Sequence, residues 1–136
     1  MCLYNILGEP EQTSGIGYKA FIITSDGNLC FPFYNPDGAE NDYSNRVIIE
    51  LHKKYKSVKN VEQSNNGEPY KTGFHIFLTQ KSAREFGSLY GLKAIAKVRY
   101  EKARLVGTQV VRWGYTANKV KCIIADEITL LEIINN

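Results

Sequence analysis

Two stretches in the C-terminal half alternate with a period of two. In Lys93–Tyr100, the residues Ala94, Ala96, Val98 and Tyr100 interleave with Lys93, Ile95, Lys97 and Arg99. In Lys119–Ala125, Val120, Cys122 and Ile124 interleave with Lys119, Lys121 and Ile123. Successive strand side chains point to opposite faces, so this pattern predicts strands with one buried face and one largely basic face. A chain built on such segments is sheet-based. Gly17–Thr24 reads as a further strand from its β-branched and aromatic content. Ser25-Asp26-Gly27-Asn28 is a turn, and Leu29–Tyr34 the return strand of a hairpin. Pro32 has no N–H for a ladder, which places that return strand at an edge. Val106-Gly107-Thr108 suggests a turn. Gln109–Trp113 and Lys119–Ala125 are predicted as strands on either side of the turn-like Gly114–Asn118, and Ile128–Ile133 as a last strand.

The helical signal is confined to one place. Gly73–Leu78 is a short apolar strand, Thr79 can cap a helix, and Ala83, Phe86, Leu89 and Tyr90 recur at spacings of three and four. Gly91 is placed to end that helix. Arg46–Tyr55 reads either as a strand or as a helical turn or two. Asn35–Asn45 and Ser57–Lys71 read as loops, the second centred on Asn65-Asn66-Gly67-Glu68-Pro69 and expected to be mobile. The expected architecture is α+β: a mainly antiparallel sheet with one or two short helices packed on one face. At 136 residues the chain is predicted to form a single compact domain spanning 1–136, large enough to bury a core without disulfides or metal.

Nine tyrosines against one tryptophan and one methionine suit pleated surfaces better than a helical bundle. No run approaches the roughly 20 apolar residues that a membrane-spanning helix needs. Met1–Asn5 has no basic segment leading into an apolar one, so no secretory leader is expected. Cys2, Cys30 and Cys122 are odd in number and widely spaced, which predicts reduced thiols in a cytoplasmic protein. Cys30 and Cys122 sit in apolar strand patterns and read as small buried hydrophobes.

The charge is divided unevenly. Residues 1–70 carry six Lys/Arg against nine Asp/Glu, and residues 71–136 carry eleven against five. Such a split marks one surface as electropositive and suited to phosphates or an acidic partner; its bland counterpart is a solvated sheet face. The residues singled out for ligand binding are Lys97, Arg99, Arg112, Trp113, Lys119, Lys121 and His75. Arg112, Trp113 and the neighbouring Tyr115 could form a stacking platform, since rings and cations combine in single-strand and nucleotide binding; Trp113 could equally belong to the core. Lys102 and Arg104 could add a grip on phosphates.

No P-loop, dinucleotide fingerprint, EF-hand loop, zinc spacing or nucleophile elbow is present; Gly15-Ile16-Gly17 precedes a strand instead of opening a helix. His52 and His75 have no local partners at metal spacing, so neither a metal nor a cofactor is expected. His75 is the residue best suited to acid–base chemistry, weighed against a satisfied structural histidine. Alternation puts it on the less apolar face, with Gly73, Phe77 and Thr79.

Tyr18-Lys19-Ala20-Phe21, then Gly73-Phe74-His75, then Ala83 and Phe86, then Val98-Arg99-Tyr100 and the closing Val120–Leu131 segment together resemble a family of small, uncharacterised phage-encoded domains. That resemblance implies an accessory protein of a mobile element, acting in a host cytoplasm. The layout is also distantly similar to ADP-ribosyltransferase folds, which implies Lys19 at the early-strand position, His75 nearby, and Glu127 or Glu132 as the carboxylate. The leading expectation is a non-enzymatic, phage-type binding protein. It could be an anti-defence inhibitor that engages a nucleotide, a nucleic acid or a host defence protein through its basic sheet surface. The alternative is an NAD-using transferase-like enzyme with Lys19 and His75 as catalytic residues. A third reading is a homo-oligomeric accessory protein joined through the exposed edge Leu29–Tyr34. No membrane partner is expected.

Overall fold

The computed structural model describes residues 3–37, 41, 44–57, 61–65 and 67–134. Among them lie nine strands and one helix. In chain order these are β1 (Asn5–Gly8), β2 (Gly15–Ile23), β3 (Leu29–Cys30), β4 (Lys54–Lys56), β5 (Val61–Gln63), β6 (Pro69–Lys71), β7 (Phe74–Phe77), α1 (Gln80–Tyr90), β8 (Ala94–Arg112) and β9 (Asn118–Ile134). The two alternating segments of the sequence are parts of β8 and β9, which form one long hairpin paired from Ile95↔Ile134 to Arg112↔Asn118. Its ladder shifts at Lys97/Val98, Ala103/Leu105 and Val110/Arg112. Such irregularities bend a strand and raise its twist, which lets so long a hairpin curl.

The strands β1, β2, β4 and β7 of the main sheet are laid against this hairpin, and β3 pairs with β2. The free edge of β8 takes β2, from Gly15↔Tyr100 to Phe21↔Ala94, and further along takes β1. The free edge of β9 takes β7, from Phe74↔Ala125 to Phe77↔Cys122, and then β4. Finally β7 meets β2 through a single pair, Tyr18↔Phe77. The pairings β8–β2–β7–β9–β8 therefore close into a ring, with β7 and β2 its weakest seam. All of these pairings are antiparallel.

The two faces of this ring feed two cores. Phe21, Phe74, Ile76, Ala96, Val98, Tyr100, Ile123, Ala125 and Leu130 belong to one cluster, joined by Leu29 of β3, Tyr55 of β4, and Phe31 and Ile49 from between them. Phe31 is the hub, with its ring 5.7 Å from Phe21, 5.5 Å from Tyr55 and 5.4 Å from Phe74. The opposite-facing Ala20, Phe77, Ile95, Cys122 and Ile124 belong to a second cluster with Ala83 and Phe86 of α1, Leu92, Leu3 and Tyr70. The helix begins and ends where the sequence predicts. Thr79 Oγ1 accepts the Ser82 N–H at 3.1 Å, and Gly91 closes the helix in the left-handed region at φ 72°. Gly87, a residue the apolar spacing passes over, is the close-approach point: a Cβ there would lie 2.6 Å from the Leu92 carbonyl oxygen and 3.4 Å from Ala20 Cβ.

Several expectations are corrected. Val106-Gly107-Thr108 is not a turn but the middle of β8, where β1 docks on one edge and β9 on the other. Gly107 is needed there for proximity, since a Cβ would sit 2.6 Å from the Asn5 carbonyl oxygen and 2.7 Å from Leu3 Cδ1. The return strand Leu29–Tyr34 shortens to Leu29–Cys30, beyond which Phe33 takes a positive φ of 65°. Arg46–Tyr55 is neither a full strand nor a helix: Ile48 bridges Cys30 and only its end joins β4. Within Ser57–Lys71, β5 and β6 pair as a small hairpin in place of the expected loop; its turn is closed by Ser64 N–H to Glu68 O and Gly67 N–H to Ser64 O, both at 2.9 Å. Asn66, at the centre of that stretch, lies outside the described residues, as does Cys2.

Candidate functional site

The long hairpin carries the residues singled out for ligand binding at two separate places. Arg112, Trp113, Lys119 and Lys121 sit at its turn end. Arg112 pairs with Asn118, and both it and the two lysines are exposed. Trp113 is 58% exposed and Tyr115 fully so, which excludes Trp113 from the core. Val120 packs with the second cluster, so strand alternation puts Lys119 and Lys121 together on the opposite face. Lys119 Nζ stands 4.4 Å above the Tyr4 ring, a cation–π contact that fixes one end of the basic row. No Asp or Glu occurs between residues 112 and 121.

Lys97 and Arg99 lie at the other end. Lys97 faces Glu132 and Arg99 faces Thr129, whereas Lys119 is across from Val110. Residues 97 and 110 are separated by roughly 40 Å of strand contour at about 3.3 Å per residue. The alternation that marks all four as exposed strand positions is blind to this distance. Lys102 and Arg104 are committed elsewhere. Lys102 Nζ is 3.0 Å from Glu127 Oε2, and Lys54 bridges Glu127 and Glu101 at 3.5 and 3.2 Å. Arg104 Nε donates to Asp126 Oδ1 at 2.6 Å and its other nitrogens donate to the Lys71 and Thr72 carbonyls. The Lys102 ammonium is the main reason the Glu127 carboxyl is held below the usual carboxylate range.

Lys19 and His75 form a different kind of place, at the weak seam of the ring. Past Tyr18↔Phe77 the strands β2 and β7 part, and Lys19 Nζ donates to the His75 carbonyl at 3.1 Å. Lys19 is buried, at 8% exposure, and burial brings its pKa down to about 8. His75 is half-buried. Burial, then the Lys19 charge, hold its imidazole well below the ordinary histidine value, against a ring hydrogen bond to the Gly73 carbonyl. Its Nε2 has no hydrogen-bond partner among the described residues. Cys122, which the sequence marks only as a small hydrophobe, is the third member: its buried thiol is pushed up to about 12 by desolvation, against the pull of the Lys19 charge. Both Cys30 and Cys122 are free thiols.

The carboxylates required by the transferase alternative are not gathered here. Glu127 is buried among Lys54 and Lys102, and Glu132 is exposed opposite Lys97; neither is a partner of Lys19. Among the described residues no three His, Cys, Asp or Glu side chains come together as a metal site. No helix among them is long and apolar enough to cross a membrane.

A half-open cleft of about 360 Å³ lies between the segment that links β1 to β2 and the sheet, with Tyr100, Ile123 and Lys121 in its wall. Lys121 thus borders both this cleft and the exposed hairpin end. Nothing in the spacing of residues 7–12 announces a pocket wall, because they are brought there by the docking of β1 at Val106 and of β2 at Tyr100 on one edge of β8. No family model, curated protein or solved structure matches the chain.

Proposed function

We propose that the protein is a non-enzymatic accessory binding protein of phage type, whose turn end of the β8–β9 hairpin holds a single-stranded nucleic acid. The observation that carries this is the exposure of Trp113 and Tyr115 within a basic, carboxylate-free stretch flanked by Arg112, Lys119 and Lys121. Bases stack on exposed rings irrespective of sequence, contributing about 1–3 kcal/mol each, while cations follow the phosphates. The row of Lys119 and Lys121 leads away from the rings along one strand face, as a bound strand requires. Lys97 and Arg99 take no part in this surface, because they lie at the far end of the hairpin.

Trp113 is the single tryptophan, so its fluorescence reports on this surface alone. Titration with an oligodeoxyuridylate should quench it, with an affinity that falls as salt is raised. Trp113→Ala should weaken binding measured by the anisotropy of a labelled strand. Absence of quenching and of any anisotropy change at low salt would reject the reading.

A further inference from the structure

We propose that the cleft beside the hairpin seats one base of the bound strand and selects bases that carry an exocyclic amino group; this rests on the hairpin end being a single-strand site. The cleft volume, about 360 Å³, is within the range of small-ligand sites, which begin at about 300 Å³. Its wall is divided chemically. Leu7, Leu78, Val106 and Ile123 give it apolar sides, together with Tyr100, a planar ring buried to 6% exposure. Glu9, Glu11 and Gln12, all exposed, border it from the segment between β1 and β2.

An apolar slot bordered by acceptors suits a flat heterocycle with donors on its edge. Ionised carboxylates accept hydrogen bonds and cannot donate, so they pair with the amino group of cytosine and repel the carbonyl that uracil presents at the same ring position. Free phosphate or a general polyanion would be repelled by Glu9 and Glu11, which argues that the base, and not the backbone, enters. Lys121 makes the connection. It borders the cleft and lies two residues from Lys119 on the same strand face, so a strand held at the hairpin end passes the cleft mouth with its phosphates still paired. Gly15 leaves room for the Tyr100 hydroxyl, since a Cβ there would lie 2.7 Å from it.

The test compares labelled oligodeoxycytidylate with oligodeoxyuridylate of equal length at pH 7.5 and fixed salt. The two differ along one base edge: cytosine carries an amino group at C4 beside a bare N3, and uracil carries a carbonyl at C4 beside an N3–H. The expected result is about tenfold tighter binding of the cytidylate, the discrimination of one good base-edge contact. Glu9→Gln/Glu11→Gln should bring the ratio close to one, because an amide serves either base, while binding of the uridylate is retained or tightened. These exposed positions leave the fold intact, which thermal melting checks. A wild-type ratio near one, with tryptophan quenching present, would overturn the cleft and leave the hairpin reading standing. An unchanged preference in the double variant would also overturn it. No binding of either oligonucleotide would overturn the hairpin reading and this inference with it.

Discussion

The seam between β2 and β7 and the end of the β8–β9 hairpin are both polar places in a sheet protein, and they are built on opposite terms. At the seam, Lys19, His75 and Cys122 are drawn out of water: burial keeps the imidazole and the thiol neutral and brings the Lys19 ammonium down to a pKa of about 8. At the hairpin end, Trp113 and Tyr115 are pushed into water beside Arg112, Lys119 and Lys121, with little structural reward for their exposure. The seam spends polar groups on closing the ring. The hairpin end leaves costly surface uncovered, and that contrast is why the binding reading belongs to the second place and not the first.

If the ring and its aromatic hub are the structural half of this contrast, Phe31→Ala should have the largest effect. Removing a side chain at 1% exposure that packs on three rings should cost about 3–5 kcal/mol in denaturant unfolding. A loss below about 1 kcal/mol would mean that the segment after β3 is not anchored by it. Next comes His75→Ala. Loss of its bond to the Gly73 carbonyl should lower stability by roughly 1–3 kcal/mol. Little change in stability, together with NAD turnover by the wild type that vanishes in the variant, would move the seam from structure to catalysis.

The seam also has a pH signature. Below pH 8 Lys19 is charged in both folded and unfolded states, and its burial opposes folding throughout. Between about 8 and its ordinary value of 10.5 the unfolded chain keeps a proton that the folded one has released, so stability rises with pH, by about 1 kcal/mol between pH 8 and 9. Above its ordinary value of 9.0 the Cys122 thiol acts in reverse, because the unfolded chain ionises while the folded one stays protonated to about 12. The rise should therefore stall above pH 9. Lys19→Met should flatten the rise in a comparison of unfolding curves; an identical rise in that variant would mean that other groups cause it.

The smallest structural effect is expected at the hairpin end. Trp113→Ala or Tyr115→Ala should change stability by no more than about 0.5 kcal/mol. Dividing the basic residues sharpens the contrast: Lys119→Gln/Lys121→Gln should weaken strand binding, and Lys97→Gln/Arg99→Gln should not. Equal losses from the two pairs would restore a single continuous basic face.

The periodic parts of this architecture were readable and the contact-dependent parts were not. Alternation places Ala96, Val98 and Tyr100 on one face and Cys122 and Ile124 on another, because strand geometry imposes it locally. The caps Thr79 and Gly91 are legible for the same reason. Gly107 misleads, since a glycine needed for close approach of β1 looks the same in sequence as one needed for a turn. β1 itself is too short and too little patterned to stand out. Of the site, the residue types at the hairpin end were legible as a ring-and-cation group. The separation of Lys97 and Arg99, the commitment of Lys102 and Arg104 to Glu127 and Asp126, and the union of Lys19 with Cys122 all depend on the pairing of distant strands.

The closed ring also dictates an order of events during synthesis. β1, β2, β4 and β7 all pair with β8 or β9, and only β2 and β7 touch one another, by one residue pair. A ribosome delivers these strands before the hairpin that receives them, so the strands ahead of β8 emerge with no template. At about 5–20 residues per second, they wait several seconds for residues 94–134. The hairpin, whose own contacts are local, can close as soon as it emerges and then gather the waiting strands. Loss of β9 would strip β4 and β7 of their partner and leave the β8 edge that faces it open to chaperones and to other strands.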